Sequence, residues 1–267
     1  MKAPSFAYAK PRALAEALVL AARPGAKILA GGQSLIPSLN MRLSSPELLV
    51  DINGLEELKG IRLDRDTLRI GALTTHADIG KSDVVKKHLP LLAAAVPHIA
   101  HPAIRNRGTL GGSLALADPA AEYPACALAL DATLVVTGKK SERKIQASDF
   151  FKGLFETALE PGELLTAVEF KAQKKDDKSA FLELARRQGD YATIGLAAIA
   201  TNGTKRLAYF GAADRPILAQ HAAEAKDLES AKAALAKDLQ PPADLYHSSV
   251  TKLHLARVLL ERAWNTL

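Results

Sequence analysis

Cysteine is almost absent from this chain, since Cys126 is the only one among 267 residues. A single thiol cannot close an internal disulfide or supply the four thiolates that an iron–sulfur cluster requires. Cys126 lies in an apolar run over residues 125–130, which favours a small buried hydrophobe over a reactive group. Any iron–sulfur centre that works with this chain must therefore sit on another chain.

Aromatic residues are also scarce, at 5% of the sequence. The net charge of +6 would suit an anionic partner or cofactor, but the basic residues are scattered apart from a run near Lys171–Lys178. No aromatic series interleaves with Arg or Lys for stacking on bases. We therefore do not expect nucleic-acid binding.

Several other signals are missing. No apolar run approaches the length of a membrane span, and the N-terminus lacks a charged start followed by an apolar stretch. We thus expect a cytoplasmic protein that is not an integral membrane protein. The seven histidines show no metal-ligand spacing, and neither a Gly-x-Ser-x-Gly elbow nor a Cys–His pairing is visible. The sequence predicts no metal site and no catalytic residue.

The residues that are present predict an α+β protein. An apolar fraction of 48% permits a sizeable core, and the length fits two domains or one large domain with an appendage. The polar segment Lys171–Lys178 is the clearest boundary, with mixed elements before it and strands followed by helices after it. Periodicity predicts the longer helices over Pro11–Ala22, Gln33–Met41, Leu91–Ala100, Ala120–Leu130, Leu228–Leu239 and Ser248–Trp264. Hairpins are predicted over residues 61–70 and 132–145, and a strand meander over residues 180–211.

Two glycine pairs carry the strongest chemical signal. The first glycine loop, Ala30-Gly31-Gly32-Gln33-Ser34-Leu35, follows a predicted strand and precedes a predicted helix. The second glycine loop, Thr109-Leu110-Gly111-Gly112-Ser113, has a similar composition. Paired glycines allow close approach of a ligand, and successive backbone N–H groups can bind an anion such as a pyrophosphate. Each loop alone is more often a plain tight turn, and neither matches the Rossmann or P-loop pattern.

Polar residues near the second glycine loop have open alternatives. Asp118 or Glu122 could accept hydrogen bonds from ribose hydroxyls; alternatively Asp118 is an N-cap before Pro119, and Glu122 a solvated surface residue. Arg105 and Arg107 could steady phosphates or pair with carboxylates. Tyr191 could lie against a planar ring or be a half-buried core residue.

These segments together resemble the flavoprotein (medium) subunits of carbon monoxide dehydrogenase and related molybdenum hydroxylases, including the central domain of xanthine dehydrogenase. The resemblance rests on five segments, whose order, spacing and flanking residues all agree: Ala30–Leu35, Pro46–Ile52, His101–Ser113, Ala117–Glu122 and Arg186–Tyr191. It covers essentially the whole chain.

The resemblance implies an FAD-binding domain of the vanillyl-alcohol-oxidase (PCMH) type over residues 1–172. Its two α+β subdomains would span about 1–54 and 55–172, and a small sheet-and-helix domain would span 173–267. Both glycine loops would hold the FAD pyrophosphate, Glu122 would lie near the adenosine ribose, and Leu165 and Tyr191 would lie by the flavin. The resemblance also implies a large partner with the molybdenum cofactor and a small partner with two [2Fe–2S] clusters, assembled as a dimer of heterotrimers.

This chain would then carry electrons from the partner's clusters through FAD to an external acceptor. Xanthine dehydrogenase has a lysine near the flavin where this chain has Phe181, Leu182 and Glu183, which weakens the case for NAD as that acceptor. Two alternatives remain at this stage. One is a standalone flavin oxidase or reductase of the same fold, and the other is a non-enzymatic nucleotide-binding or scaffold module.

Overall fold

The computed structural model describes residues 2–267, and its first unit is a small parallel sheet. The three strands lie in the order β1-β3-β2, with the apolar strand β3 in the centre and buried along its length, as expected for a central parallel strand. The strands are β1 (Ala7–Ala9), β2 (Ala26–Leu29) and β3 (Leu48–Asp51), and the connecting helices are α1 (Leu14–Ala21) and α2 (Leu35–Asn40). Both helices are shorter than predicted.

The second unit contains an antiparallel sheet of five strands. Its order, β4-β5-β10-β6-β7, places the long apolar strand β10 between the two predicted hairpins, which are confirmed. The strands are β4 (Ile61–Asp64), β5 (Thr67–Gly71), β6 (Thr133–Thr137), β7 (Glu142–Gln146), the small pair β8 (Phe151–Gly153) and β9 (Glu156–Thr157), and β10 (Leu164–Lys171).

Short helices cover this second sheet. They are α3 (His76–Lys81), α4 (Asp83–His88), α5 (Pro90–Ala95), α6 (Pro102–Arg105), α7 (Leu110–Leu116), α8 (Glu122–Ala129) and α9 (Ala147–Phe150). The prediction of one helix over Leu91–Ala100 is wrong, because α5 ends at Ala95 and a 3-10 turn follows over Val96–His98. Pro97 explains the break, since it has no N–H to donate within a helix.

The C-terminal unit is an antiparallel meander backed by helices, as predicted, but it has a fourth, short strand, β14 (Ile217–Leu218), that was not predicted. The strands β11 (Lys178–Ala185), β12 (Ala192–Thr201), β13 (Thr204–Phe210) and β14 lie in chain order. The helices are α10 (Gln220–Ala223), α11 (Leu228–Asp238) and α12 (Ser249–Trp264). The predicted boundary falls between β10 and β11, and the division at 172/173 stays a prediction.

The two faces of the C-terminal sheet pack into two different hydrophobic cores. One face, which includes Phe181, Ala197 and Phe210, joins the main core of the second unit. The opposite face, which includes Leu196 and Tyr209, packs on α11 and α12 in a separate core. This alternation follows from the two-residue period of a strand. Phe181 and Phe210 of this sheet stack with ring centroids 5.6 Å apart and share one buried cluster with Leu134 of β6, so apolar contacts join the second unit and the C-terminal unit.

Candidate functional site

The structure places the two glycine loops next to each other, which one pyrophosphate held by both, as the resemblance implies, would require. A Cβ atom on Gly31 would overlap the carbonyl oxygen of Arg107 and lie 2.8 Å from the Cα of Gly108. On the other side, a Cβ on Gly112 would lie 3.9 Å from the Cβ of Ala30. Glycine at position 31 is therefore required for the two backbones to meet, and any ligand held by one loop would also face the other.

The first glycine loop offers unused hydrogen-bond donors. Within residues 2–267, the backbone N–H groups of Gly31, Gly32, Gln33 and Ser34 have no acceptor. Gly32 has φ +72°, a left-handed conformation that favours glycine. Free N–H groups in succession form a concave anion site. The loop residues are half-buried or exposed, so this donor set is open to a ligand.

The second glycine loop is built differently, because its N–H groups from Leu110 to Ser113 are already used. Leu110 and Gly111 donate to the carbonyls of Thr74 and Ala72, and Gly112 donates to the Thr109 side-chain oxygen at 3.1 Å. Gly111 is buried, and a Cβ there would lie 2.8 Å from the carbonyl oxygen of Ala72. Gly111 therefore serves close packing, whereas Gly112 lies on the side where the loops meet, and Ser113 next to it is half-buried.

Asp118 lies in the short connection between α7 and α8, and Glu122 is the first residue of α8. The N-cap prediction for Asp118 is wrong, because α8 begins at Glu122 with Ala121 as its N-cap. Asp118 instead accepts a hydrogen bond from the Ala120 N–H at 2.9 Å and closes a turn. The carbonyl of Pro119 accepts from the Gly211 N–H of the C-terminal unit, and this long-range bond explains why Pro119 does not start the helix.

Burial changes the acidity of these carboxyl groups. Glu122 is half-buried, so the interpretation of a solvated surface residue is wrong. Desolvation, aided by the nearby charge of Asp118, raises the pKa of Glu122 to about 7. Desolvation also raises the pKa of Asp118, although the hydrogen bond from Ala120 opposes it. The pair is therefore suited to accept hydrogen bonds from hydroxyl groups without carrying two full negative charges.

A third carboxyl group, Glu183 on β11, lies beside this pair. Its side chain is 3% exposed, and its Oε2 atom has no hydrogen-bond partner among residues 2–267. The nearest ionisable nitrogen is His98 Nδ1, 3.7 Å away, which is beyond hydrogen-bond range. Desolvation, followed by the charge of Glu122, raises the pKa of Glu183 to about 8. Glu183 is therefore mostly neutral at pH 7.

The two residues expected near a flavin occupy different environments. Leu165 on β10 is 5% exposed and belongs to the main core, on a strand that contacts α7. Tyr191 is 71% exposed, so the interpretation of a half-buried core tyrosine is wrong. Partial desolvation, followed by the charges of Asp118 and Glu122, raises the pKa of Tyr191. Its ring therefore stands at the surface beside the acidic pair.

The two arginines have neither of the predicted partners on this chain. Arg105 donates to the carbonyls of Pro97, Ile99 and Ala100, so it shapes the loop before α6 and does not pair with a carboxylate. Arg107 is exposed, and its carbonyl forms the contact with Gly31. That Arg107 steadies a phosphate stays a prediction, while the Arg105 guanidinium is already engaged with backbone carbonyls.

Sequence reasoning missed the residues that hold the first glycine loop. The Asn53 side-chain amide donates to the carbonyl of Ala30 at 2.6 Å, and Asp51 accepts from the N–H of Asn53 at 3.0 Å. The signal that could have revealed them is the Asp-x-Asn sequence at the end of a strand, which is typical of an Asx turn.

Neither a metal-ligand group nor a membrane-spanning helix is seen among the described residues. Residues 2–267 contain no group of three or more His, Cys, Asp or Glu side chains that could hold a metal ion. In the same residues, no helix is both long and apolar enough to cross a bilayer. Cys126 is fully buried in α8.

Comparison with known proteins gives one consistent answer. Residues 4–170 match the family described as "FAD binding domain in molybdopterin dehydrogenase". The chain is 40% identical to the 6-hydroxypseudooxynicotine dehydrogenase complex subunit alpha of Paenarthrobacter nicotinovorans, over 98% of this chain and 94% of that one. It is 34% identical to the xanthine dehydrogenase FAD-binding subunit of Escherichia coli O157:H7, over 96% and 93%.

A solved structure shows the same fold. The carbon monoxide dehydrogenase from Hydrogenophaga pseudoflava that lacks the Mo-pyranopterin moiety contains a chain that superposes with a TM-score of 0.95. That chain is 36% identical, and the match covers 100% of this chain and 98% of that one.

Proposed function

Because this chain belongs to the FAD-binding medium subunits of the molybdenum hydroxylases, we propose that its two glycine loops hold one FAD and that it carries electrons from a partner's iron–sulfur clusters to an external acceptor. FAD supplies the redox chemistry, because it exchanges electrons with both one-electron and two-electron partners. The work of the chain is then to bind and orient the cofactor.

The observation that carries this proposal is the cradle where the loops meet. Four consecutive N–H groups, from Gly31 to Ser34, are free to donate, and Cβ atoms at positions 31 and 32 would be obstructed or strained. A diphosphate offers several anionic oxygens that match such a donor set. On the opposite loop, the half-buried Ser113 hydroxyl would add a donor, whereas the buried Thr109 hydroxyl oxygen already accepts from the Gly112 N–H.

We assign the remaining predicted residues to other parts of the FAD molecule. Glu122 and Asp118 are suited to the ribose hydroxyls, since a partly neutral pair of carboxyl groups accepts hydrogen bonds at a low cost of charge repulsion. The exposed ring of Tyr191 is available to lie against the flavin ring, and Leu165 would support it from the core. We assign no proton-transfer step to these residues.

The proposed partner subunits would carry the metal centres for which residues 2–267 offer no ligand group. Its only cysteine is buried and no metal-ligand group is present among residues 2–267, so the iron–sulfur clusters and the molybdenum cofactor would belong to a small and a large subunit. A dimer of such heterotrimers in the cytoplasm is part of this proposal. The substrate would be selected by the large subunit.

The test is FAD binding to the purified chain and to two matched variants. Gly32→Asp places a carboxylate against the anion site at a positive φ, and we expect FAD affinity to fall at least about 100-fold. Gly203→Asp introduces the same side chain at φ +77° in a surface turn with open space around it, and should leave affinity unchanged. Flavin fluorescence quenching measures both.

The outcomes separate cofactor binding from electron transfer. A wild-type chain that takes up no FAD, or a Gly32→Asp variant that binds it normally, contradicts the proposed site. Co-purification with an iron–sulfur protein from the native host, and reduction of the bound flavin by that partner, are expected if the chain is an electron-transfer subunit. A chain that always purifies alone would instead support a standalone flavin enzyme.

A further inference from the structure

The carbonyl group that leads into the first glycine loop is held by a side chain from the neighbouring strand end. Asn53 Nδ2 lies 2.6 Å from the Ala30 oxygen and 2.8 Å from Asp51 Oδ1. Asn53 follows β3, whereas Ala30 follows β2, so this contact joins the carboxyl ends of two adjacent parallel strands. The Ala30 carbonyl therefore has a fixed direction.

Asn53 is in turn fixed by a buried carboxylate. Asp51 Oδ1 accepts from the Asn53 N–H at 3.0 Å, and Asp51 Oδ2 accepts from the Tyr8 hydroxyl at 2.5 Å. Burial tends to raise the pKa of Asp51, but the hydrogen bonds from Tyr8 and Asn53 outweigh it and lower the pKa below its ordinary value. Asp51 is thus ionised at neutral pH, and the Tyr8–Asp51–Asn53 chain spans all three strands of the small sheet.

The geometry of the peptide bond links this chain to the anion cradle. The described chain has no cis peptide bond, so the C=O of Ala30 and the N–H of Gly31 point in opposite directions from one planar group. Holding the Ala30 oxygen on the Asn53 side directs the Gly31 N–H to the opposite side. That N–H has no acceptor among residues 2–267, and Gly31 also packs closely against the backbone of Arg107 and Gly108, directly before the second glycine loop.

We propose that Asn53, held by Asp51 and Tyr8, is a positioning residue that aims the Gly31 N–H at a diphosphate oxygen of the cofactor. The inference rests on the proposed FAD site and adds what orients its first donor. Asn53 does not touch the cofactor in this role. It acts through the Ala30–Gly31 peptide, because a preorganised donor binds an anion without the entropy cost of ordering the loop.

Three variants of the full-length chain test this role. Asn53→Ala removes the clamp, and we expect FAD to bind about 10- to 100-fold more weakly, the range for one lost charge-assisted hydrogen bond. Tyr8→Phe keeps the ring but frees Asp51, and should weaken binding by a smaller factor, about 3- to 10-fold. Asn265→Ala, a matched change at an exposed residue beyond α12, should leave binding unchanged.

The second measurement is the ³¹P NMR shifts of bound FAD. These shifts would not change if Asn53 only stabilised the fold. We expect Asn53→Ala to shift a diphosphate resonance relative to wild type, while thermal unfolding without FAD confirms that the variant is folded. Wild-type affinity and unchanged ³¹P shifts in Asn53→Ala would overturn the inference and leave the proposed function intact. If Asn53→Ala does not fold, the same two measurements on Tyr8→Phe decide. A wild-type chain that binds no FAD overturns both proposals.

Discussion

At the scale of single residues, Glu183 occupies the least expected environment for its type. It lies where the C-terminal sheet meets the helices of the second unit, with His98 and Glu122 as its nearest titratable neighbours. Desolvation lowers the pKa of His98, so His98 is mostly neutral at pH 7 and does not compensate a charge on Glu183. An ionised Glu183 would therefore be a buried carboxylate without a partner, which is costly.

This environment predicts a pH dependence of stability. The pKa of Glu183 is about 8 in the folded chain and ordinary, 4.5, when unfolded, so between these values only the unfolded state releases the proton. The stability that the neutral Glu183 side chain contributes is fully present below pH 4.5 and is lost as the pH rises towards 8. Glu183→Gln should stabilise the chain at pH 8 by about 1–3 kcal/mol and change little at pH 5.

Urea unfolding midpoints at the two pH values measure this difference. The control is Glu229→Gln on α11, where the carboxylate is 81% exposed and the change should be small at both pH values. Because the pKa of Glu122 is also raised, the stability of Glu183→Gln should still fall as the pH rises, but less steeply than that of wild type. If the stability of Glu183→Gln depends on pH as strongly as that of wild type, the Glu183 carboxyl group is solvated.

At the scale of elements, the N-terminus of α7 depends on a close backbone contact. Gly111→Ala would improve helix propensity, but the new Cβ would lie 2.8 Å from the Ala72 carbonyl oxygen. We expect the clash to dominate and to cost about 1–3 kcal/mol of unfolding free energy. Gly138→Ala, in a surface turn with its nearest neighbour at 3.5 Å, should be close to neutral. Equal stability of Gly111→Ala and wild type would contradict the packing role.

Most elements could be predicted from the sequence, because hairpins and amphipathic helices are set by local patterns. The division at Pro97 was missed, although its cause is local, because the apolar run continues across it. The environments of Asp118 and Glu183 could not be predicted. They depend on contacts between the C-terminal unit and the second unit, such as Gly211 to Pro119, which join residues far apart in sequence.

In the site too, features set by local sequence could be predicted and features set by long-range contacts could not. Both glycine loops were found from their composition, and they lie next to each other in space, as the resemblance implies. Their difference was not predicted, since the N–H groups of Leu110 and Gly111 donate to the carbonyls of Thr74 and Ala72, in a segment with no distinctive pattern. The Asn53 clamp joins two strand ends, so its partner could not be identified without the fold.

At the scale of the whole molecule, the shared core implies that the second unit and the C-terminal unit unfold together. Phe181 and Phe210 from the C-terminal sheet lie in the same cluster as Leu134 of β6, and Gly195 leaves the space that the Phe210 ring fills. Interfaces that are large and apolar couple the stabilities of the parts they join. We therefore expect a single cooperative transition.

The only tryptophan allows this to be tested. Trp264 lies at the end of α12 against the separate C-terminal core, with Lys205 over its ring, so its fluorescence reports that unit alone. Leu134→Ala makes a cavity in the other unit and should cost about 2–5 kcal/mol. Under cooperative unfolding, the denaturant midpoint of Trp264 fluorescence falls by the same amount as the midpoint of far-UV circular dichroism. Leu235→Ala, buried beside α12, should move both signals equally as the reciprocal control. If Leu134→Ala lowers the circular dichroism midpoint while the Trp264 transition stays in place, the two units unfold independently and the shared core does not couple them.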